Sequence, residues 1–530
     1  MSVAFAIAAI VLVLVVTVLI GVYGLRISRT TDDFLVASRT VGPVLNASAI
    51  SGEYISAASF LGIAGLVLLS GTDAFWFPIG YCGGYLLLLL FVAAPLRRSG
   101  ARTIHDFVES RLDSRGARRV TGLLVMVIGW LYIVPQFHGA AITVNVVTGL
   151  PPWVGSVAIA VIVAVIVAAG GMRSITFVQA FHYWLKLTAL GVPVVFLLVS
   201  GSGVPHVSDP AVTFPLDAGP AGQDAYRTIS LMLALVLGTM GLPHVLVRFY
   251  TNPDGASARR TTLVVIVMIS AFYMLSSTMG IIGRIFAPDL ADASMADSVV
   301  LLLPSRLLPG VVGDLLTALI VAGAFAAFLS ASSGLVVSLA GVVSQDLLGG
   351  SVRAFRIAAI ACSLVPLVIT FLTDPGGLTS SVGIVFIVSA SSLAPVLLLG
   401  VWWRGLTAAG AIVGMIVGGV ASSGALFLSG LPLATGPIAA AALAQPAAWT
   451  VPLAIVATVA VSLATRRAVP TGADRYILRL HTPELAAPVP PGARSLRRSL
   501  RRNLRRSHRP RQRSPGNLPA TSSSTDSEPA

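Results

Sequence analysis

Apolar residues run along this chain in blocks of about 20 or more, the length that crosses bilayer hydrocarbon as a helix. Polar stretches separate them from the first residues to about residue 465. The blocks predict thirteen transmembrane helices, at 3–25, 43–70, 74–96, 120–148, 153–171, 176–201, 228–248, 262–287, 313–345, 356–374, 380–402, 407–430 and 449–465. Two blocks are interrupted. The second contains SGEYISAAS (51–59), with Glu53, Ser56 and Ser59, and the seventh contains GTMGLPHVLVRF (238–249), with Gly238, Gly241 and Pro243.

Inside a membrane, non-helical backbone survives only where protein or a water-filled site satisfies its polar groups. Proline removes a helix hydrogen bond and clashes with the preceding turn. The two interruptions lie five spans apart, so their helices cross in opposite directions. Paired breaks in corresponding helices point to inverted repeats around a midplane transport site, here spans two to six and seven to eleven. The competing reading is that the glycines only permit close helix packing. A third polar cluster, in the ninth span, holds Ser330 and Ser333 with Ala327 one turn earlier on the same face. Hydroxyls and freed carbonyls suit a hard cation such as Na⁺, whereas back-bonding of serine to its own helix is the plainer reading.

Of 530 residues, 55% are hydrophobic and 11% charged, and mean hydropathy is +0.89, which excludes a soluble domain. Cys82 and Cys362 both fall in apolar spans, so neither a disulfide framework nor a metal cluster is indicated. The first span has no basic residue ahead of it and Arg26 and Arg29 behind it. It reads as a retained helix with its N-terminus outside. On that orientation 31 of the 35 basic residues are cytoplasmic, which supports both the count and the direction. The division is a transmembrane domain at 1–465 and a disordered tail at 466–530, whose fourteen arginines supply +10 of the net +14. That tail suits topology and anionic lipid, not nucleic acid.

The charges within spans are few. Lys186 is the only lysine of the chain and lies about ten residues deep in the sixth span. An intramembrane charge is a functional hypothesis by default. It is a candidate to carry a coupling proton, to pair with Glu53 or to face a substrate carboxylate; snorkelling would have to cover about 15 Å of helix. Glu53 could pair with Lys186, share in ion coupling or face a vestibule. His244 is either a contact for an anionic substrate or a satisfied core histidine, His138 and His182 read as core, and Arg248, at a helix end, reads as topogenic. There is no phosphate-cradling loop with its lysine, and within the spans no HExxH or pair of nearby aspartates, so the chain is not expected to be an enzyme or to carry a cofactor. Transport would be secondary, driven by an ion gradient.

The stretches SRTVGPVLNASAISGEYISAASFLGIAGLVLLSG, GTMGLPHVLVRFYT and GGMRSITFVQAFHYWLKL, with a weaker echo in WRGLTAAGAIVGMIVG, resemble the sodium/solute symporter family and most closely its cation/acetate branch. The resemblance covers spans one to twelve. It implies a LeuT-type 5+5 inverted-repeat fold with one helix ahead of the repeats. It also implies a cation site of carbonyls from Gly52, Ile55 and Ala327 with hydroxyls at 330 and 331. Ser330 fits that pattern, but Ala331 stands where sodium-coupled members carry Ser or Thr. Thr176 stands where many carry Asp, and some proton-coupled proteins of the broader fold place a lysine on the helix of Lys186. The expected function is symport of a small monocarboxylate (acetate, then pyruvate or propionate) with Na⁺ or H⁺ through the inner membrane. Substrate contacts are expected at Glu53, Ser56, Ser59, Gly241, Pro243 and His244, with half-helix N-termini lending dipoles to the carboxylate. The alternatives are proline or a sugar as solute, or a sensor that has kept the fold.

Overall fold

The computed structural model describes residues 3–25, 41–200, 223–292, 295–373, 377–431 and 436–484, and every regular element among them is helical. In chain order these are α1 (Val3–Leu25), α2 (Pro43–Tyr54), α3 (Ile63–Ser70), α4 (Trp76–Leu87), α5 (Ala93–Arg98), α6 (Ile104–Leu112) and α7 (Arg115–Thr148). Then follow α8 (Trp153–Ser200), α9 (Gln223–Gly241), α10 (Pro243–Val247), α11 (Gly255–Phe286), α12 (Val299–Leu307) and α13 (Val311–Asp346). The last are α14 (Val352–Leu372), α15 (Leu378–Trp402), α16 (Ala408–Ser429), α17 (Pro437–Ala444), α18 (Ala447–Ala464) and α19 (Ala473–His481).

Among the described residues, 11 helical stretches are long and apolar enough to cross a membrane, or 12 when the bent pair Ala225–Gly241 and Pro243–Thr251 counts as one. The expected thirteen exceed this because the second and third spans are not separate by that measure. Ala58–Arg98 is one helical run, turned at Gly71, whose φ of +60° only glycine adopts freely. The fifth and sixth spans likewise share one hydrogen-bonded run, α8, which holds two span-length pieces, Trp153–Gly170 and Ser174–Ser200.

The centre of the molecule is α13, buried almost without interruption from Leu316 to Val342. It packs on α8, α7 and α14, while α2 lies between α8 and α11, and α9 between α4 and α15. The outer helix faces expose large apolar side chains such as Leu19, Val267, Met274 and Phe427. Their polar groups turn inward, as hydrocarbon surroundings require. His182 of α8 meets Thr17 of α1 at 2.8 Å, and His138 of α7 meets the Thr370 carbonyl at 3.2 Å.

Structure does not stop at residue 465. The nine residues of α19 present Tyr476 and Leu480 inward, where Tyr476 lies 6.3 Å from the Phe107 ring of α6 and Leu480 is fully buried. His481 packs on Trp402, and Arg98 reaches the Leu480 carbonyl. The expected disorder is therefore corrected for 466–482. Spacing of apolar residues by three and four, not the arginine content, decides the local structure there. The arginine-rich sequence after residue 484, with the lipid contact expected of it, and the first loop with Arg26 and Arg29 lie outside the described residues.

Candidate functional site

The first interruption is a true break. α2 ends at Tyr54, and Ile55 leaves the helix at φ −72° and ψ 94°. A wide helical turn at Ala58–Gly62 then leads into α3. The break frees backbone groups, and three of them find partners from elsewhere in the fold. Gln136 of α7 accepts the Ala57 N–H at 2.8 Å. The Gly52 and Ile55 carbonyls both receive the ammonium of Lys186, the latter at 2.7 Å. Gly52 has no room for a side chain, because any Cβ would collide with the Gln179 carbonyl of α8. That glycine sets how closely the broken helix approaches the lysine's helix.

Lys186 is fully buried and makes a third bond, to Ser330 Oγ of α13 at 2.7 Å. Ser330 in turn donates its own proton to the Ala327 carbonyl at 3.1 Å. The amine thus sits among Gly52, Ile55 and Ser330, three of the five positions expected to hold a cation. Ala327 is occupied with Ser330, and Ala331 is buried but offers only a methyl group. An ammonium has three protons and no acceptor. Two carbonyls and the Ser330 hydroxyl, which is itself turned to the Ala327 carbonyl, meet those three protons, so the arrangement as built suits the charged form.

The pairing of Glu53 with Lys186 is not what the fold builds. Glu53 is bonded instead to Arg248 at 2.8 Å, with both side chains at most 2% exposed. Arg248 also donates to Thr176 at 2.8 Å and to Gln179, and Gln179 passes a bond on to the Ser330 carbonyl at 3.1 Å. Arg248 is therefore an interior residue linking the two breaks, and the topogenic reading of it is corrected. A basic residue near a span's end satisfies the charge-asymmetry rule equally well whether it faces water or the core. The available signal was its spacing: it follows His244 by one turn, on one helical face. Glu53 also needed a partner. The snorkelling reading of Lys186 is likewise excluded by its burial.

The second interruption lies at Leu242, between α9 and α10, with a bend of 43°. Pro243 has no N–H to give, and Ser389 of α15 takes up the Gly238 carbonyl at 3.0 Å. Gly241 abuts the Ser389 backbone, so this glycine serves close packing. His244 is buried with neither ring nitrogen bonded, 5.0 Å from the Tyr132 ring. Between the breaks stands an aromatic wall. Tyr54 crosses Tyr85 edge-on at 4.8 Å and bonds Thr239 at 2.9 Å. Tyr81 stacks on Tyr273 at 5.5 Å and leans on Phe386 at 5.1 Å. Ser59 is tied to Tyr273 at 3.0 Å, whereas Ser56 faces Tyr132 without a well-formed bond and the Tyr85 hydroxyl is unbonded. Buried hydroxyls and imidazoles with spare bonding capacity are costly unless something else meets them.

Two broken helices facing one another in an all-helical membrane protein define a secondary transporter. Residues 34–418 match the model of the sodium:solute symporter family, and the chain belongs to that family. It is 30% identical over 424 residues to an uncharacterized symporter, YwcA, of Bacillus subtilis, covering 76% of this chain and 82% of that one. It is also 30% identical over 447 residues to a monocarboxylic acid transporter of Corynebacterium glutamicum, covering 76% and 80%. The solved structure of a Na⁺-coupled sialic acid symporter in a substrate-bound outward-open state matches at a TM-score of 0.66 and 15% identity, over 87% of this chain and 98% of that one. The nucleobase-cation-symport-1 family transporter Mhp1, in a closed conformation with bromovinylhydantoin bound, matches at 0.54 and 15%, over 84% and 98%. The fold is thus of the LeuT type, and the protein is a multi-pass transporter, not an enzyme, that moves a small solute with a coupling cation.

Proposed function

We propose that this symporter takes up a small monocarboxylate, acetate before pyruvate or propionate, and that its coupling cation is a proton carried by Lys186. The observation that carries the reading is the lysine ammonium on the Gly52 and Ile55 carbonyls and on Ser330. It ties the broken helix to α13, one of the elements against which the broken helices would rock. A neutral amine keeps two protons for the two carbonyls and can meet the Ser330 hydroxyl only as an acceptor, which would draw that hydroxyl off the Ala327 carbonyl. Loss of the proton thus takes the charge out of these bonds and loosens the tie between the break and α13. Na⁺ would need the same oxygens, and Ala331 adds none.

Ser56 and His244 have bonding capacity to offer a carboxylate, and the rings of Tyr54, Tyr81 and Phe386 offer an apolar wall for a methyl group. Glu53, Ser59, Gly241 and Pro243 would act around that space rather than on the solute, since each is engaged in the pair, bond, packing or bend described above. The monocarboxylic acid transporter relative supports the solute class. The working orientation is N-terminus outside and C-terminus in the cytoplasm of the inner membrane, with the basic tail against anionic lipid.

Labelled-acetate counterflow in proteoliposomes, corrected by protein-free vesicles, tests the solute. Exchange competed by pyruvate and propionate but not by proline or glucose is expected. Absence of exchange, or competition by proline or glucose alone, would overturn the assignment.

A further inference from the structure

Between the first half of α8 and the helix α14 runs a groove of about 640 Å³, far from the two breaks. Its floor on α8 is made by Ala160, Ala164 and Ala168, spaced by four and therefore on one helical face. Val161 and Val165 stand beside them as an exposed rim, and Leu364 and Leu367 line the opposite wall on α14. Small residues ordinarily let two membrane helices close on each other. Here α14 does not close on the alanines. The one hydroxyl in the groove, on Ser363, spends its proton on the Ala359 carbonyl at 2.9 Å, so the wall has no spare donor. The mouth is different. Arg356 lines it from the second turn of α14, and Arg353 lies three residues earlier on the same face. Both are exposed, and among the described residues neither has an ion pair or a hydrogen-bonded side-chain partner. Cations in the first turns oppose the positive end of the helix dipole, so the stability of α14 does not account for them.

From Arg356 to Leu367 the helix rises about 16 Å, which is close to one leaflet of a hydrocarbon core about 30 Å thick. The groove therefore sets a guanidinium at headgroup level and an apolar trough from there to the midplane. A neutral lipid would use only the trough, and inorganic phosphate only the mouth. We infer that an anionic phospholipid binds here, its phosphate on Arg356 and Arg353 and one acyl chain along the alanine face between α8 and α14. A lipid tail gains little by leaving other tails for an apolar wall, so the trough supplies fit and the arginines supply preference for the anion. On the working orientation the headgroup lies in the cytoplasmic leaflet, and the residues of the site are the same on either orientation. The site is separate from the contact proposed for the arginine-rich tail, and it does not depend on the identity of the solute or of the coupling cation.

The test reconstitutes the full-length protein in phosphatidylcholine liposomes containing a little phosphatidylglycerol that carries a diazirine midway along one acyl chain. After illumination, labelled peptides are mapped by mass spectrometry. The exposed Phe427 of α16 reports ordinary contact with the bilayer. Peptides around Ala164 and Leu364 are expected to take label in excess of that at Phe427. Unlabelled phosphatidylglycerol should compete for the groove, and the same amount of added phosphatidylcholine should not. Arg353→Gln with Arg356→Gln is expected to lower the groove labelling about tenfold and to leave Phe427 unchanged. Ala164→Leu, which fills the trough without touching a charge, should lower it as well. Because these residues face outward, both variants should keep the wild-type melting temperature in detergent. Groove labelling equal to that at Phe427, equal competition by the two lipids, or labelling unmoved by loss of both arginines would overturn the site. Absence of label together with a dimer in size exclusion would give the face to a second copy of the chain and overturn it too.

Discussion

At the scale of single residues, the identity of the coupling ion turns on whether a side chain or a free ion fills the oxygens released at Ile55. Lys186 fills them, and Ala331 withholds the extra hydroxyl that a free ion would use. The double variant Lys186→Ala with Ala331→Ser restores a vacant set of carbonyls and two hydroxyls. It is expected to lose pH-driven accumulation and to acquire stimulation by Na⁺ in counterflow. The added oxygen is worth about 1.5–3 kcal/mol, roughly ten- to a hundredfold in ion affinity over Lys186→Ala alone. Equal sodium response in the single and double variants would contradict this. Lys186 and Ser330 were legible in the sequence because a polar residue deep in an apolar span has few ordinary explanations. Arg248 was not, because its place near a span's end has one.

At the scale of elements, the two breaks were readable from glycine, proline and polar residues alone, and both appear within a residue or two of where those residues lie. What the sequence could not supply was the partner of each freed group, since Gln136, Ser389 and Lys186 come from distant helices. A different cluster controls the joint of α6, α7 and α13. Arg118 bonds Asp106 and Glu109 at 2.6 Å and Asp346 at 2.7 Å, over a fully buried His105. Burial holds the His105 imidazole below its ordinary range, with Arg118 adding to the effect against the pull of Asp106 and Asp346. A histidine kept neutral in the fold contributes stability that is present above its unfolded value of about 6.5 and is lost as pH falls toward the folded one. Thermal stability in detergent is therefore expected to fall as pH drops below about 6.5, and His105→Gln to flatten that dependence. An unchanged slope in the variant would assign the acid sensitivity elsewhere.

At the scale of the whole molecule, the amphipathic α19 belongs to the transporter body, which runs to Thr482. The run DRYILRLH carries apolar residues at helical spacing, a signal masked in composition by the fourteen arginines of residues 466–530, two of them within the run. Truncation after Thr482 is expected to leave the melting temperature unchanged. Truncation after Thr465 removes the buried Leu480 and the packed Tyr476, at a cost of about 2–4 kcal/mol. Each kcal/mol corresponds to about 2–4 °C in a domain of moderate size. Fluorescence-detected size exclusion after heating would separate the two, and equal melting would show α19 to be dispensable.

Lys186 also changes what it means for the carrier to be empty. A diffusing ion arrives at a rate set by its concentration outside and departs with its cargo, so the broken helix must spend part of every cycle with bare carbonyls. On the proton-coupled proposal the cation is attached to the wall by a four-carbon stem, and only its proton would come and go. The break would then keep a nitrogen beside it through both halves of the cycle, and salinity would drop out of the rate. If the proposal holds, a cell in sodium-poor water would import with this protein as readily as one in brine.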